Sequence, residues 1–403
     1  MRLAAILAVI LVVANRGMSA LAPDGPGLGL SSAAEAIDRF SVDLYGHTAA
    51  GDGNLVLSPL SVYSALMMTG AGAREGTARE MSAALGVSDV ASAEVQAAEG
   101  ALLGRIGKSD QDFQLHIASA IWAQEGFKCL PGFESILEND YQAKVMGTDF
   151  HDPSRASGAI NDWVAKETSG KIADLFSPGS IAPDTRMVLA NAIYFKADWE
   201  SPFLAHLTRD GDFHVGGQAK GTPTPMMHRS GLFLSSQNDQ VQAIELPYKG
   251  GTVAMTILLP RSVDGLASLE SGLSAKFLND VETGMQREAV EVAIPKFKFS
   301  AEFGLAEKLK EMGMGSAFTP GRADFSGIGG QADVYISKVQ HKAFIAVDEQ
   351  GTEAAAATGI VMAPTAVFMS RMTFTADHPF LFMIRDKSSG AILFLGRVEN
   401  PKG

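Results

Sequence analysis

Apolar residues recur with two different periods along this chain, helical in the first part and strand-like in the second. Ile37, Phe40, Ser41, Leu44 and Tyr45 fall at helical spacing behind Ser31-Ser32, which predicts a first helix. Ser58-Pro59 offers a side-chain acceptor followed by a residue with fixed φ, so it reads as N-cap and first turn of a second helix. Leu60, Tyr63, Leu66 and Met67 share one face of it. Thr77-Ala-Arg-Glu80 has the form of a capping box and predicts a third helix; Ile160, Trp163, Val164 and Thr168 predict another. The intervening Gly70-Ala-Gly72 follows a helix and lacks the full G-x-G-x-x-G spacing, so it reads as a plain turn.

Met187 to Phe195 is a continuous apolar run bounded by turn residues, as expected of a buried strand. Strand-like runs then dominate, at Val253 to Leu259, Val290 to Ile294, Ala343 to Val347, Phe380 to Ile384 and Ile392 to Leu395. A helix is expected among them from about Glu302 to Met312. Helices early and strands late, without strict βαβ alternation, predict an α+β fold on large mixed or antiparallel sheets.

At 403 residues and 46% hydrophobic, the chain can bury a large core. No Ser/Gly or Pro run separates compositional halves and no solenoid repeat appears, so residues 33–401 read as one domain behind a Pro/Gly-rich lead over 23–32. Met1-Arg2 and the uncharged stretch from Leu3 to Ala14 have the form of a secretory signal over about 1–22, with cleavage after Ala20 or Ala22. Arg16 departs from the usual signal pattern. Twelve apolar residues are too few to span a bilayer, so the expectation is a secreted protein, extracellular or periplasmic, with no membrane role after signal removal.

The net charge of −12 argues against a nucleic-acid partner, and the dispersed Lys and Arg indicate no heparin-type site. Cys129 is the single cysteine, so no intrachain disulfide forms; the residue reads as an inert, buried small hydrophobe. Enzyme motifs are missing: the chain has no G-x-S-x-G, no H-E-x-x-H, no P-loop and no paired Cys spacing. His206, His214 and His228 match no metal-ligand spacing. A Ser/His pair assembled by the fold is the enzymatic alternative. No cofactor and no metal are expected.

One segment stands apart. Glu349-Gln-Gly-Thr-Glu-Ala-Ala-Ala-Ala-Thr358 follows an apolar strand, and local propensity alone reads it as a short helix or an Ala-rich linker. Read with period two, it sends Thr352, Ala354, Ala356 and Thr358 to one face, continued by Ile360 and Met362. Every residue on that face is small or apolar, and Glu353 falls on the other. Such a segment could slide between two strands without burying a charge.

Several motifs then resemble those of the serpins, over about Ala33 to Pro401. They are Asn191-Ala-Ile-Tyr-Phe-Lys-Ala-Asp-Trp-Glu-Ser-Pro-Phe203, Phe374-Thr-Ala-Asp-His-Pro-Phe-Leu-Phe-Met-Ile384, Gly396-Arg-Val-Glu-Asn-Pro401 and the hinge-like stretch from Glu349. The resemblance implies three β-sheets with eight or nine helices, a metastable native state and an exposed reactive-centre loop over about 350–371. It implies a hinge of Glu349, Gly351, Thr352, Glu353, Ala354, Ala355, Ala356, Ala357 and Thr358. Ser58, Ser61, Asn191 and His341 resemble the polar cluster beneath the opening sheet, called the shutter. Trp199, Lys296 and Glu349 resemble the breach, where the loop first enters, with Lys296 and Glu349 as an ion pair.

Counting from Glu349 in the family manner places the scissile bond between Thr365 and Ala366, with Met362-Ala363 as a second candidate; Arg371 lies too far along for a trypsin-like reading. A small residue there suits elastase-like or subtilisin-like targets. The implied activity is inhibition of serine proteases by a suicide-substrate mechanism, as a monomer that forms a covalent complex with its target and has no catalytic residue of its own. The alternative within the family is a non-inhibitory carrier or chaperone.

Overall fold

A computed structural model describes residues 30–106, 113–330, 334–352 and 372–403. Among them the helices are α1 (Leu30–Thr48), α2 (Pro59–Gly70), α3 (Glu75–Leu85), α4 (Ala93–Ile106), α5 (Pro131–Tyr141), α6 (Pro153–Glu167), α7 (Leu266–Ser271), α8 (Ala275–Thr283), α9 (Ala306–Leu309) and α10 (Ser326–Gly329). The strands are β1 (Leu55–Leu57), β2 (Phe113–Gln124), β3 (Val145–Thr148), β4 (Met187–Asp198), β5 (Arg209–Phe213), β6 (Thr222–Gln237), β7 (Val241–Pro247) and β8 (Val253–Pro260). They continue with β9 (Gln286–Pro295), β10 (Phe297–Gly304), β11 (Lys338–Val347), β12 (Gly351–Thr352), β13 (Met372–Thr375), β14 (Phe380–Asp386) and β15 (Ile392–Val398).

One sheet runs β10-β11-β12-β4-β2-β3. The other strands form the ladder β1-β15-β14-β8-β7-β6-β9-β13, with β5 branching from β6. The length of β6 explains the branching: residues 222–226 pair with β5, residues 226–235 with β9, and residues 234–237 with β7. Counting the ends of β6 separately gives three sheets, a small one being β5, β6, β9 and β13. Of the ten helices, α9 and α10 are four-residue pieces.

Ser58 caps α2 as its sequence predicts, its side chain accepting the Ser61 N–H. All of α2 is buried, so it carries no polar stripe. Apolar side chains from α1, α2 and both large sheets form one core, and a second core lies between the six-stranded sheet and α6. Along β4 the two cores alternate: Met187, Leu189, Ile193 and Phe195 belong to the first, Val188, Ala190 and Ala192 to the second.

Two sequence expectations need correction. The Thr77/Glu80 capping box does not form, because α3 already starts at Glu75. Thr77 Oγ1 accepts from the Asp324 N–H instead, and Glu80 accepts from Ser316 and Arg322. The helix expected from about Glu302 to Met312 forms but starts later: β10 runs to Gly304, with Glu302 opposite Lys342, and the helical stretch begins at Ala306 and continues to Met314. Phe297, Phe299, Ala301 and Phe303 alternate toward the core, and that period of two outweighs helix propensity.

The central contact of the six-stranded sheet is between β11 and β4. Lys338–Ala343 pair in parallel with Val188–Ile193, six residue pairs in all. Toward Val347 and Ala197 the two strands are no longer partners, and β12 stands between them, antiparallel to both.

Candidate functional site

The site is the upper end of this split sheet and the polar cluster beneath it. Asp348 turns the chain from β11 into β12: its carboxylate accepts from the Gln350 and Gly351 N–H groups, and its own N–H donates to the Gly351 carbonyl at 2.9 Å. Gly351 is required by close approach, since a Cβ there would lie 2.0 Å from the Ala197 carbonyl oxygen. Thr352 pairs with Val347 on one side and Ala197 on the other, and is buried. Its hydroxyl shares a 2.6 Å hydrogen bond with the hydroxyl of Tyr248.

Trp199, Lys296 and Glu349 converge around this turn. Lys296 Nζ lies 2.7 Å from Glu349 Oε2, and Thr208 Oγ1 donates to Glu349 Oε1 at 2.9 Å. Burial acts to raise the Glu349 pKa, but the Lys296 and Thr208 hydrogen bonds and the Lys296 charge outweigh it, and the net shift is downward. The Trp199 backbone N–H donates to the Gln350 carbonyl and its indole N–H to the Asp348 carbonyl. Its ring stacks on Tyr248 at 4.5 Å.

Ser58, Ser61, Asn191 and His341 also meet, although up to 283 residues separate them. The Ser58 N–H donates to His341 Nε2 at 3.0 Å, so that nitrogen is the acceptor. His341 Nδ1 therefore carries the proton and donates to Asn191 Oδ1 at 2.5 Å. The Asn191 amide in turn donates to the Ser61 carbonyl, to Ser61 Oγ and to Ser119 Oγ. Burial pushes the His341 pKa down to about 3, so the ring is neutral. Asn191 and His341 are register partners across the β4–β11 contact, so this hydrogen bond lies across the seam.

Glu353, Ala354, Ala355, Ala356, Ala357, Thr358, Met362, Ala363, Thr365 and Ala366 lie outside the described residues. Tyr248, Thr208 and Ser119 belong to the site but carry no local motif. Ser119 alone has a sequence signal, its place in the small-residue run Ala118-Ser119-Ala120. Cys129 is half-buried, and burial together with the neighbouring Glu134 carboxylate pushes its thiol up to about 11, away from nucleophilic use.

The family model described as "Serpin (serine protease inhibitor)" matches residues 35–401. The chain belongs to the serpin family. Among its relatives, an uncharacterized serpin-like protein of Thermococcus kodakarensis is 39% identical, over 91% of this chain and 85% of the relative. Leukocyte elastase inhibitor of Bos taurus is 36% identical, over 90% of this chain and 98% of its own. Among solved structures, human thyroxine-binding globulin complexed with thyroxine is 29% identical with a TM-score of 0.84, covering 93% of this serpin and 100% of that chain.

Proposed function

We propose that this serpin is a secreted, monomeric inhibitor of serine proteases that works as a suicide substrate, with elastase-like or subtilisin-like targets and Thr365-Ala366 as the reactive bond. The observation that carries the reading is Thr352, already buried between β4 and β11. Continuing that register antiparallel to both strands sets residue 354 between Phe195 and Ile345, and 356 between Ile193 and Ala343. Residue 358 falls between Asn191 and His341, and 360 between Leu189 and Val339. All eight flanking residues are buried. The small or apolar face of the hinge thus meets core on both sides, and its second threonine meets the polar pair.

The register also gives a length. β4 has 12 residues, and the segment opposite it would run from Gly351 to Met362 and end three residues before Thr365. At strand rise that is roughly 40 Å of travel for whatever is attached to the loop. In the proposed step the protease serine oxygen attacks the Thr365 carbonyl carbon. The C–N bond to Ala366 breaks, the new amine takes a proton from the protease base, and an ester joins the protease to Thr365. Strand entry then carries the acylated protease away before water is positioned to hydrolyse the ester. New ladders on both sides and burial of the even face stabilise the inserted state.

The test mixes purified protein with pancreatic-type elastase and with subtilisin, followed by denaturing gels and mass analysis. A heat- and detergent-stable adduct and a released fragment starting at Ala366 are expected; a fragment starting at Ala363 would move the reactive bond to Met362. Cleavage without adduct would overturn inhibition. It would favour a carrier role, the second reading raised by the likeness to thyroxine-binding globulin.

A further inference from the structure

Thr352 is the first side chain of the loop to enter the sheet, and it enters as a polar one. A hydroxyl in a dry core needs a partner, and here that partner reaches across from another element. Tyr248 does so from the turn after β7, 104 residues away. Its ring is fully buried and clamped, stacked by Trp199 at 4.5 Å and edge-on to Phe195 at 5.2 Å. The Tyr248 N–H is held by the Val253 carbonyl at 3.0 Å. The phenol is therefore a fixed point, and the hydroxyl of the loop must come to it.

We infer that Tyr248 is a positioning residue that latches the hinge one residue into the sheet before any protease arrives, and so selects the register in which the loop enters. This rests on the inhibitory reading above. Register matters because side chains alternate: a slip by one residue turns the other face inward and drives Glu353 into the main core. Thr352 is the position where the registers differ most sharply, since a slip puts Gly351, with no side-chain partner for Tyr248, or Glu353, with a charge to bury, in its place. Gly351 adds a steric condition, because only a residue without a Cβ passes the Ala197 carbonyl. Together they define a lock that accepts the Gly-Thr pair in one phase. The effect of Tyr248 is on where and when the strand starts.

The test is a double-mutant cycle on the full chain without protease, read by amide hydrogen exchange over 348–352. Tyr248→Phe keeps the ring and its stacking but strands the Thr352 hydroxyl; Thr352→Val keeps the shape but strands the phenol. Each single variant should exchange at the Gly351 and Thr352 amides at least about tenfold faster than the parent. The double variant, with both hydroxyls replaced by apolar groups, should return to within about threefold. Single variants within about twofold of the parent, or a double variant as fast as the singles, would overturn the latch. A melting scan of each variant separates loss of the latch from loss of the fold, and Thr352→Val serves if Tyr248→Phe fails to fold. With elastase or subtilisin, the single variants should at least double the ratio of cleaved inhibitor to adduct. If no variant and no parent forms an adduct, the inhibitory reading fails while the exchange result still decides the latch.

Discussion

At the scale of single residues, the described part of the hinge tolerates little because Glu349, Gly351 and Thr352 each meet a named neighbour. Thr352 is 1% exposed and touches Tyr248, so an arginine there would place an unpaired charge in the core at a cost of several kcal/mol. Thr352→Arg should therefore leave the loop cleavable and abolish the stable adduct, read on a denaturing gel; an unchanged adduct yield would refute the inward face. The Lys296–Glu349 pair is a weaker lever. Lys296 keeps 40% of its side-chain surface exposed, so solvent screening leaves the pair worth no more than about 1 kcal/mol. The residues legible in the sequence were those carried by motifs, such as Ser58 before a proline or Glu349 at the start of the hinge. Thr208 and Tyr248 were not legible because their partners lie 141 and 104 residues away, and nothing local marks a side chain whose role is to meet another element.

At the scale of elements, buried strands such as β4 and β8 announced themselves as apolar runs. β2 did not. It alternates from exposed Gln114 and His116 to buried Ala118 and Ala120, so half of it looks like surface and half like a helix of small residues. The two residues of β12 were legible only as the start of an insertable segment, and their place between β4 and β11 needed the register. That placement makes the split element testable. On the proposed reading, insertion would exchange the parallel β11–β4 contact for two antiparallel ladders, and antiparallel pairing is the more stable per residue. Nicking the loop with a protease that forms no adduct should raise the melting temperature by 10 °C or more, on the order of several kcal/mol for a chain this long. Scanning fluorimetry of the nicked and intact protein decides it, and an unchanged melting point would mean the loop stays out.

At the scale of the whole molecule, two buried titratable groups act on stability in opposite directions. His341 is held at about 3 by burial, against an ordinary value near 6.5. Between those values the unfolded chain binds a proton the folded one refuses, so this contribution is complete above pH 6.5 and is lost as pH falls toward 3. Glu99, fully buried on α4 with Oε1 unpaired among the described residues, is pushed up to about 8 from 4.5. Its folded form keeps a proton the unfolded chain releases, so stability is complete below 4.5 and is lost as pH rises toward 8. The two slopes cancel between pH 4.5 and 6.5. The melting temperature should show a plateau there, falling on each side by about 2 °C per pH unit. Glu99→Gln should remove the alkaline decline and leave the acid one; a decline that persists would assign it elsewhere.

The seam between β11 and β4 has one more consequence on the proposed reading. A strand that has entered is held by a ladder on each side, and leaving would mean opening both at once. Each copy is then a consumable that fires a single time. A fluid holding a fixed number of copies silences proteases one for one and then stops. Free protease would stay near zero until the supply is exhausted and rise abruptly afterwards, so the dose response is a threshold set by abundance and not a dial set by affinity.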